Sequence, residues 1–220
     1  MKNAFSDKAS TIARQMLAEP GRKWVLRDFV GRDGLSLGLA QGVLAAPQDL
    51  GCLERLKRGP RSYARLADPA LLDAEWVRAY KFSMNAVYAY YTPHRDFLRR
   101  FKAAVPADKY ALTLHSGANL KTHFVNIEDS YVYLRLENWG EELARIREKL
   151  ELKKLAQGGN VFFIKPFYRN TAFCNSRRVN GFPVVSGLQL YLDLYNFQPR
   201  GREHAEYLKE TLLRKGERLA

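Results

Sequence analysis

Turn-forming residues cut residues 21–68 into pieces so short that few folds accommodate them. The stretch reads GRKWVLRDFVGRDGLSLGLAQGVLAAPQDLGCLERLKRGPRSYARLAD. Pro20-Gly21, Gly34, Gly51 and Gly59-Pro60 are turn residues because glycine accepts positive φ and proline presets φ near −65°. Between them the pattern predicts a short helix, a tight turn, a second helix, and two short strands joined by a basic turn. That order is the layout of a winged helix-turn-helix, a DNA-binding module.

Local chemistry fills in this region. Ser6 is placed to cap a helix over residues 7–18, with Ile12, Met16 and Leu17 on one face and Pro20-Gly21 ending it. Lys23, Trp24 and Val25 suit a short strand. Residues 26–31 suit a helix burying Leu26, Phe29 and Val30, and Gly34 permits the turn. Ser36 is a candidate N-cap for the helix that would enter a groove, with Leu37, Ala40, Val43 and Leu44 at helical spacing on its buried face. Its outer face offers Gly38, Gln41, Gly42, Ala45 and Gln48 and no cation. Gln41 is the residue suited to a bidentate contact with adenine. Pro47 lacks an N–H and is expected to kink or shorten this helix. Residues 52–56 and 62–66 then read as strands flanking Lys57, Arg58 and Arg61, a basic turn placed to meet phosphate. Lys23, Arg32, Ser36, Gln41, Lys57, Arg58 and Arg61 are therefore the candidate DNA-binding residues, and phosphate contacts are expected to dominate affinity.

The whole chain has 220 residues, 46% of them hydrophobic and 12% aromatic, which is enough to bury a core. The formal charge of +13 favours polyanionic partners, nucleic acid before acidic membrane surface. The expected division is a winged-helix domain over 1–76 and a larger α/β domain over 77–220, together an α+β protein. The charge is uneven: 1–76 carries 12 Lys+Arg against 9 Asp+Glu, and 77–220 carries 24 against 14. The second half either also touches nucleic acid or is simply basic. Cys52 and Cys174 make neither a disulfide framework nor a zinc site. The opening MKNAFSDKAS lacks a signal peptide's apolar run, and no stretch suits a membrane span, so a cytoplasmic setting and no membrane partner are expected.

Asp68-Pro69 is expected to cap a connecting helix with Leu71, Leu72 and Trp76. Residues 82–91 carry strand signals. Thr92-Pro93 suits the start of a helix running to 104, with Phe97, Leu98 and Phe101 inward and Arg95, Arg99, Arg100 and Lys102 outward. Residues 109–115 read as a strand or a helix start, and 122–127 with 131–136 as a strand pair. Asn138 and Glu141 suit a capped helix over 139–155 that Gly158-Gly159 ends, and 161–165 is a buried strand before Pro166. Ser186 and Gln189 form a capping box, with Val185 and Leu190 as its hydrophobic staple. Leu188, Tyr191, Leu192 and Tyr195 give an apolar stripe, and a last helix from 201 buries Ala205, Leu208 and Leu212.

Enzymatic chemistry finds little support. His94, His115, His123 and His204 are dispersed without HExxH or paired Cys/His spacing, and GxSxG, GxxxxGK[ST] and GxGxxG are absent. No metal and no cofactor is expected. Arg177 and Arg178 stand near Cys174 and would favour its thiolate, though an idle cysteine is the simpler reading. Glu128, Asp129, Glu137 and Lys165 suit a nuclease-like cluster only if the fold gathers them.

The run VVSGLQLYLDLYNFQPRGREHAEYL resembles the C-terminal signature of AbiEi-like antitoxins of type IV toxin–antitoxin systems, and LADPALLDAEW resembles the exit of the matching N-terminal half. The resemblance implies a non-enzymatic protein whose winged helix represses its own promoter on double-stranded DNA. It also implies a second domain that counters a nucleotidyltransferase toxin without a stable complex. Asp193, Arg200, Arg202 and Glu203, around the last helix–helix turn, are the surface candidates for that activity. Two readings from other classes stand beside it: a nucleic-acid-processing enzyme with a winged-helix targeting domain, and an RNA-binding protein with a degenerate winged helix.

Overall fold

The computed structural model describes residues 5–31, 35–126 and 128–219 and has the mixed α+β character expected. The chain divides into two compact units, one ending at Lys81 and the other spanning Phe82–Leu219.

The first unit comprises α1 (Asp7–Ala18), a 3-10 turn (Leu26–Phe29), α2 (Leu37–Val43), α3 (Ala45–Asp49), β1 (Leu53–Leu56), β2 (Tyr63–Leu66) and α4 (Pro69–Ala79). Ile12, Met16, Trp24, Phe29, Ala40, Val43, Leu44 and Trp76 form its core. Trp24 stacks on Phe29, and Phe5 on Trp76, with ring centroids 5.2 Å apart in each pair. β1 and β2 pair antiparallel from Leu53↔Leu66 to Leu56↔Tyr63. The strand expected at residues 23–25 is reduced to one bridge, in which Trp24 and Ala64 exchange backbone hydrogen bonds.

Three expectations for this unit are corrected. Residues 26–31 form a single 3-10 turn rather than a helix. Asp28 Oδ2 accepts the Val25 N–H at 2.9 Å and Gly31 leaves at φ +84°, so the segment is tied off before a second α-turn forms. Phe29 is buried, but Leu26 is half-buried and Val30 is 40% exposed. Leu37, at the first position of α2, points outward, because a seven-residue helix presents only Ala40 and Val43 to the core. The break foreseen at Pro47 falls at Leu44, between α2 and α3. The proline sits inside the first turn of α3, where its missing N–H costs nothing.

The second unit adds β3 (Ala86–Tyr90), α5 (Phe97–Ala104), β4 (Tyr110–Leu112), α6 (Leu114–Thr122), β5 (Ser130–Leu134), α7 (Trp139–Lys149), β6 (Val161–Lys165), β7 (Arg177–Val179), β8 (Phe182–Val184), α8 (Gly187–Tyr195) and α9 (Gly201–Arg214). The strands form one mixed sheet in the order β3-β6-β5-β4-β8-β7. β6 runs parallel to β5, β8 joins β4 in parallel through Leu112↔Val184, and the other neighbours are antiparallel. Every residue of central β5 is buried, which requires cover on both faces. On one face, Phe97 and Phe101 of α5 meet Phe163, and Phe101 meets Tyr110. On the other, Tyr131 and Tyr133 meet residues of α6, α8 and the α8–α9 turn.

Asn160 explains why α5 starts at Phe97 and not at Pro93. Its side chain accepts from Thr92 N–H and donates to Thr92 C=O, at 2.9 and 2.8 Å, and this clamp holds the Thr92 backbone out of the helix. The strand expected over 122–127 is absent: 114–122 is α6, and described residues 123–126 pair with no strand, so β5 takes β4 and β6 as its neighbours. α7 ends at Lys149, short of 155, where Leu150 and then Glu151, at φ +54°, turn the chain. Asn138 Oδ1 does accept the Glu141 N–H, but Glu142, one residue further on, bonds back to the Glu137 and Asn138 N–H groups. Ser186 caps α8 through the Gln189 N–H, whereas the Gln189 amide turns inward to Asp193 and leaves the box half-made.

Candidate functional site

In the first unit, α2 and the β1–β2 hairpin border a cleft of about 690 Å³. Ser36 fixes the start of α2, since its Oγ accepts the Leu39 N–H at 3.2 Å. One turn separates Leu37 from Gln41, so both side chains reach the same wall, opposite Arg55, Leu56 and Lys57 of the hairpin. Arg27 comes from the 3-10 turn. Among the described residues no carboxylate lines the cleft, and Arg27, Arg55 and Lys57 make no ion pair.

The candidates from sequence fall in and around this cleft unevenly. Gln41 and Lys57 line it and are exposed. Arg58 and Arg61 lie further out on the turn, also exposed, where Ser62 Oγ accepts the Arg58 N–H at 2.8 Å. The Lys23 ammonium sits 4.8 Å over the Tyr63 ring on β2. The hydroxyl of Ser36 is used by the cap. Arg32 lies outside the described residues. Arg27, Arg55 and Leu37 are cleft residues that the sequence pattern does not mark. Helical spacing puts Leu37 in the core, and the two adjacent charges of LERL give no alternation from which Arg55 could be assigned to the cleft without the hairpin register.

In the second unit, Asp193 is corrected from a surface candidate to a core residue with no exposed area. Its carboxylate accepts from Thr113 Oγ1 at 2.5 Å, Tyr133 OH at 2.9 Å and the Gln189 amide at 2.8 Å, joining the end of β4, β5 and α8. Seven of the nine residues of α8 are buried, so position 193 had no outward face to occupy. Arg200, Arg202 and Glu203 are exposed at the α8–α9 turn. Arg200 pairs with Glu203 at 3.1 Å and lies over Phe124, and Arg202 lies over Tyr195.

Beneath that turn, two histidines 89 positions apart meet. His115 Nδ1 and His204 Nδ1 are 2.8 Å apart, His115 Nε2 is 3.2 Å from Pro199 O, and His204 Nε2 is 2.8 Å from Thr122 Oγ1. A carbonyl only accepts, so His115 Nε2 must donate. A neutral His115 then accepts at Nδ1 from His204, whose Nε2 is left as an acceptor facing the Thr122 hydroxyl, a group that also has Ala118 O within reach as an acceptor at 2.9 Å. Burial pushes both pKa values down, His204 to about 4, with neighbouring Arg200 adding to each shift and Asp129 opposing it at His115.

A second cleft, of about 590 Å³, lies in this unit where β3 ends and β5 and β6 begin. Glu128 and Asp129 line it, whereas Glu137 and Lys165 line a small cleft at the opposite end of β5 and β6. The four residues are thus separated by a strand's length, roughly 16 Å for five residues, and form no cluster. Burial raises the Cys52 thiol pKa, with Glu75 and Asp68 adding to it, and Cys174 is half-buried. No helix among the described residues is long and apolar enough to cross a membrane.

Neither a curated protein nor a solved structure matches the chain. A family model described as "Transcriptional regulator, AbiEi antitoxin, Type IV TA system" matches residues 65–214. The span takes in β3 through α9 and, from the first unit, the end of β2 and α4. It covers well over half of the 220 residues, and it contains the LADPALLDAEW and RGREHAEYL runs. The chain belongs to the AbiEi antitoxin family, the transcriptional regulators of type IV toxin–antitoxin systems.

Proposed function

We propose that the first unit is a winged helix-turn-helix that represses its own promoter, with α2 in the major groove of duplex DNA and the β1–β2 turn on the phosphate backbone. The second unit is the antitoxin part, countering a nucleotidyltransferase toxin in the cytoplasm without a stable complex and without chemistry of its own. Membership of a family of transcriptional regulators supports the general reading. The observation that carries the DNA-binding part is the cleft beside α2, rimmed by Arg27, Arg55 and Lys57, without a carboxylate among the described residues and flanked by exposed Arg58 and Arg61. Cations held without partners favour a polyanion. The separation of Glu128 and Asp129 from Glu137 and Lys165 gives the nuclease alternative no supporting cluster.

The test is a gel shift of the full chain on its own promoter across a salt series, with the Lys57→Ala/Arg58→Ala/Arg61→Ala variant beside it. Each lost phosphate contact is expected to flatten the slope of log K against log salt by about 0.9. An unchanged slope, or equal affinity for promoter and random duplex, overturns the reading.

A further inference from the structure

The proposed DNA-binding face contains a feature at odds with a purely electrostatic surface. Leu37 is 50% exposed, Val25 43% and Leu56 40%, and all three line the cleft beside α2 rather than scattering over the unit. Isolated exposed leucines need no explanation, but three apolar side chains converging beside unpaired cations mark a recognition surface. Leu37 stands at the first helical position after the Ser36 cap, the end of a recognition helix that reaches base edges. Gly38 next to it has no side chain, and among the described residues nothing lies within 4 Å of where its Cβ would be, so a base pair can come close. Gln41, one turn on, is the polar reader on that face. The floor of the major groove offers one apolar group to match Leu37, the 5-methyl of thymine.

We propose that Leu37 is a specificity-determining residue that packs on the 5-methyl group of a thymine, one or two base pairs from an adenine read by Gln41. The proposal rests on the DNA-binding reading and narrows it. It gives the recognition helix an apolar and amide code for A·T pairs in place of the arginine–guanine contact this helix lacks. Side chains one helical turn apart stand about 5–6 Å from each other, which matches one to two base-pair steps of about 3.4 Å. Arg27, Arg55 and Lys57 then hold the phosphates of the strand that passes through the cleft. The cationic rim favours DNA as the occupant over an apolar protein segment.

Duplexes are selected from a random pool with the full chain, so the operator sequence emerges from the selection itself. Each thymine of the selected site is then replaced in turn by deoxyuridine, which removes only the methyl. Wild-type protein is expected to lose about four-fold in affinity at one thymine, the worth of burying one methyl group. Leu37→Ala is expected to bind the thymine duplex several-fold more weakly and to be indifferent to the uracil exchange at that position. Leu37→Met, which keeps the apolar contact, retains the sensitivity. Circular dichroism confirms that the variants are folded, which the exposure of position 37 favours. Indifference of the wild type to every exchange overturns the proposal while leaving DNA binding intact. So does full sensitivity in Leu37→Ala, or a loss in that variant spread evenly over all duplexes. If no duplex is selected, the DNA-binding reading fails with it and the cleft falls to a protein segment.

Discussion

Acidifying the protein from pH 7 to pH 5 is expected to loosen α6 and α9 specifically, because the His115–His204 pair is neutral in the fold and ionises readily once exposed. His204 has a folded pKa of about 4 against an ordinary 6.5, so below pH 6.5 the unfolded state binds the extra proton first. Stability is therefore full above pH 6.5 and falls as pH drops, until the folded pair takes up a proton near pH 4. The fall from 6.5 to about 4 corresponds to about 3 kcal/mol in total, of which about 2 kcal/mol is lost by pH 5. His115 shifts in the same direction and adds to the loss. Hydrogen-exchange mass spectrometry on peptides from 114–122 and 201–214, corrected for intrinsic rates, reads this opening apart from the first unit. His204→Asn lowers protection at pH 7 but removes the titrating group, and more than half of the pH-dependent loss should vanish. Equal protection of the wild type at pH 5 and 7, or an undiminished loss in the variant, would refute the proton assignment.

Asp193→Ala removes a shared acceptor from Thr113, Tyr133 and the Gln189 amide, and the loss of these buried bonds is expected to cost about 3 kcal/mol, read as a lowered urea midpoint of the second unit. Any loss of toxin protection in that variant should track its loss of fold. Arg202→Ala removes an exposed side chain whose guanidinium lies 5.1 Å from the Tyr195 ring, so its melting temperature should hold within about 2 °C, and growth beside the cognate toxin then reports function alone. Gly117→Ala places a methyl 2.8 Å from both Leu112 O and Leu190 Cδ2, an overpacking expected to destabilise the second unit by about 1–3 kcal/mol in chemical denaturation. Ser36→Ala takes away the cap of α2 and is expected to cost the first unit about 1 kcal/mol, visible as faster exchange of the Leu39 amide.

The features legible in the sequence are those encoded over a few residues. Ser36, Asp68, Asn138 and Ser186 each cap the helix expected of them, because a side-chain oxygen three positions before a free N–H is a local arrangement. The basic turn between β1 and β2 is likewise marked by Gly59-Pro60. The β7–β8 hairpin lies outside the expected elements although its signal is present: Asn180-Gly181, both at positive φ, is the dipeptide that two-residue hairpin turns favour. Other features depend on partners far along the chain. The β-branched and aromatic residues around 122–126 favour a strand, but α6, whose first five residues are buried and which packs on α8 and α9, continues to Thr122. The inward turn of Asp193 and the meeting of His115 with His204 both need the α8–α9 return, which no spacing in the sequence reports. Leu37 is misplaced by periodicity because a helical repeat gives a face but not the length of helix over which that face stays covered.

The placing of β8 beside β4 has a consequence for how this protein is made. The first unit is contiguous in the chain and leaves the ribosome before the second, so it can fold as soon as α4 has emerged. The second unit cannot close its sheet in that way. β4 acquires one neighbour, β5, early, but the other comes from Val184, 72 residues after Leu112. Until then, a strand whose three residues are all buried in the finished protein stands open along one edge. Such an edge pairs readily with other chains. Polypeptides interrupted between α7 and β8 should therefore be drawn into aggregates or degraded, while their N-terminal units remain intact. Ribosomal stalling in that window would yield a fragment that keeps the first unit and lacks a closed sheet in the second.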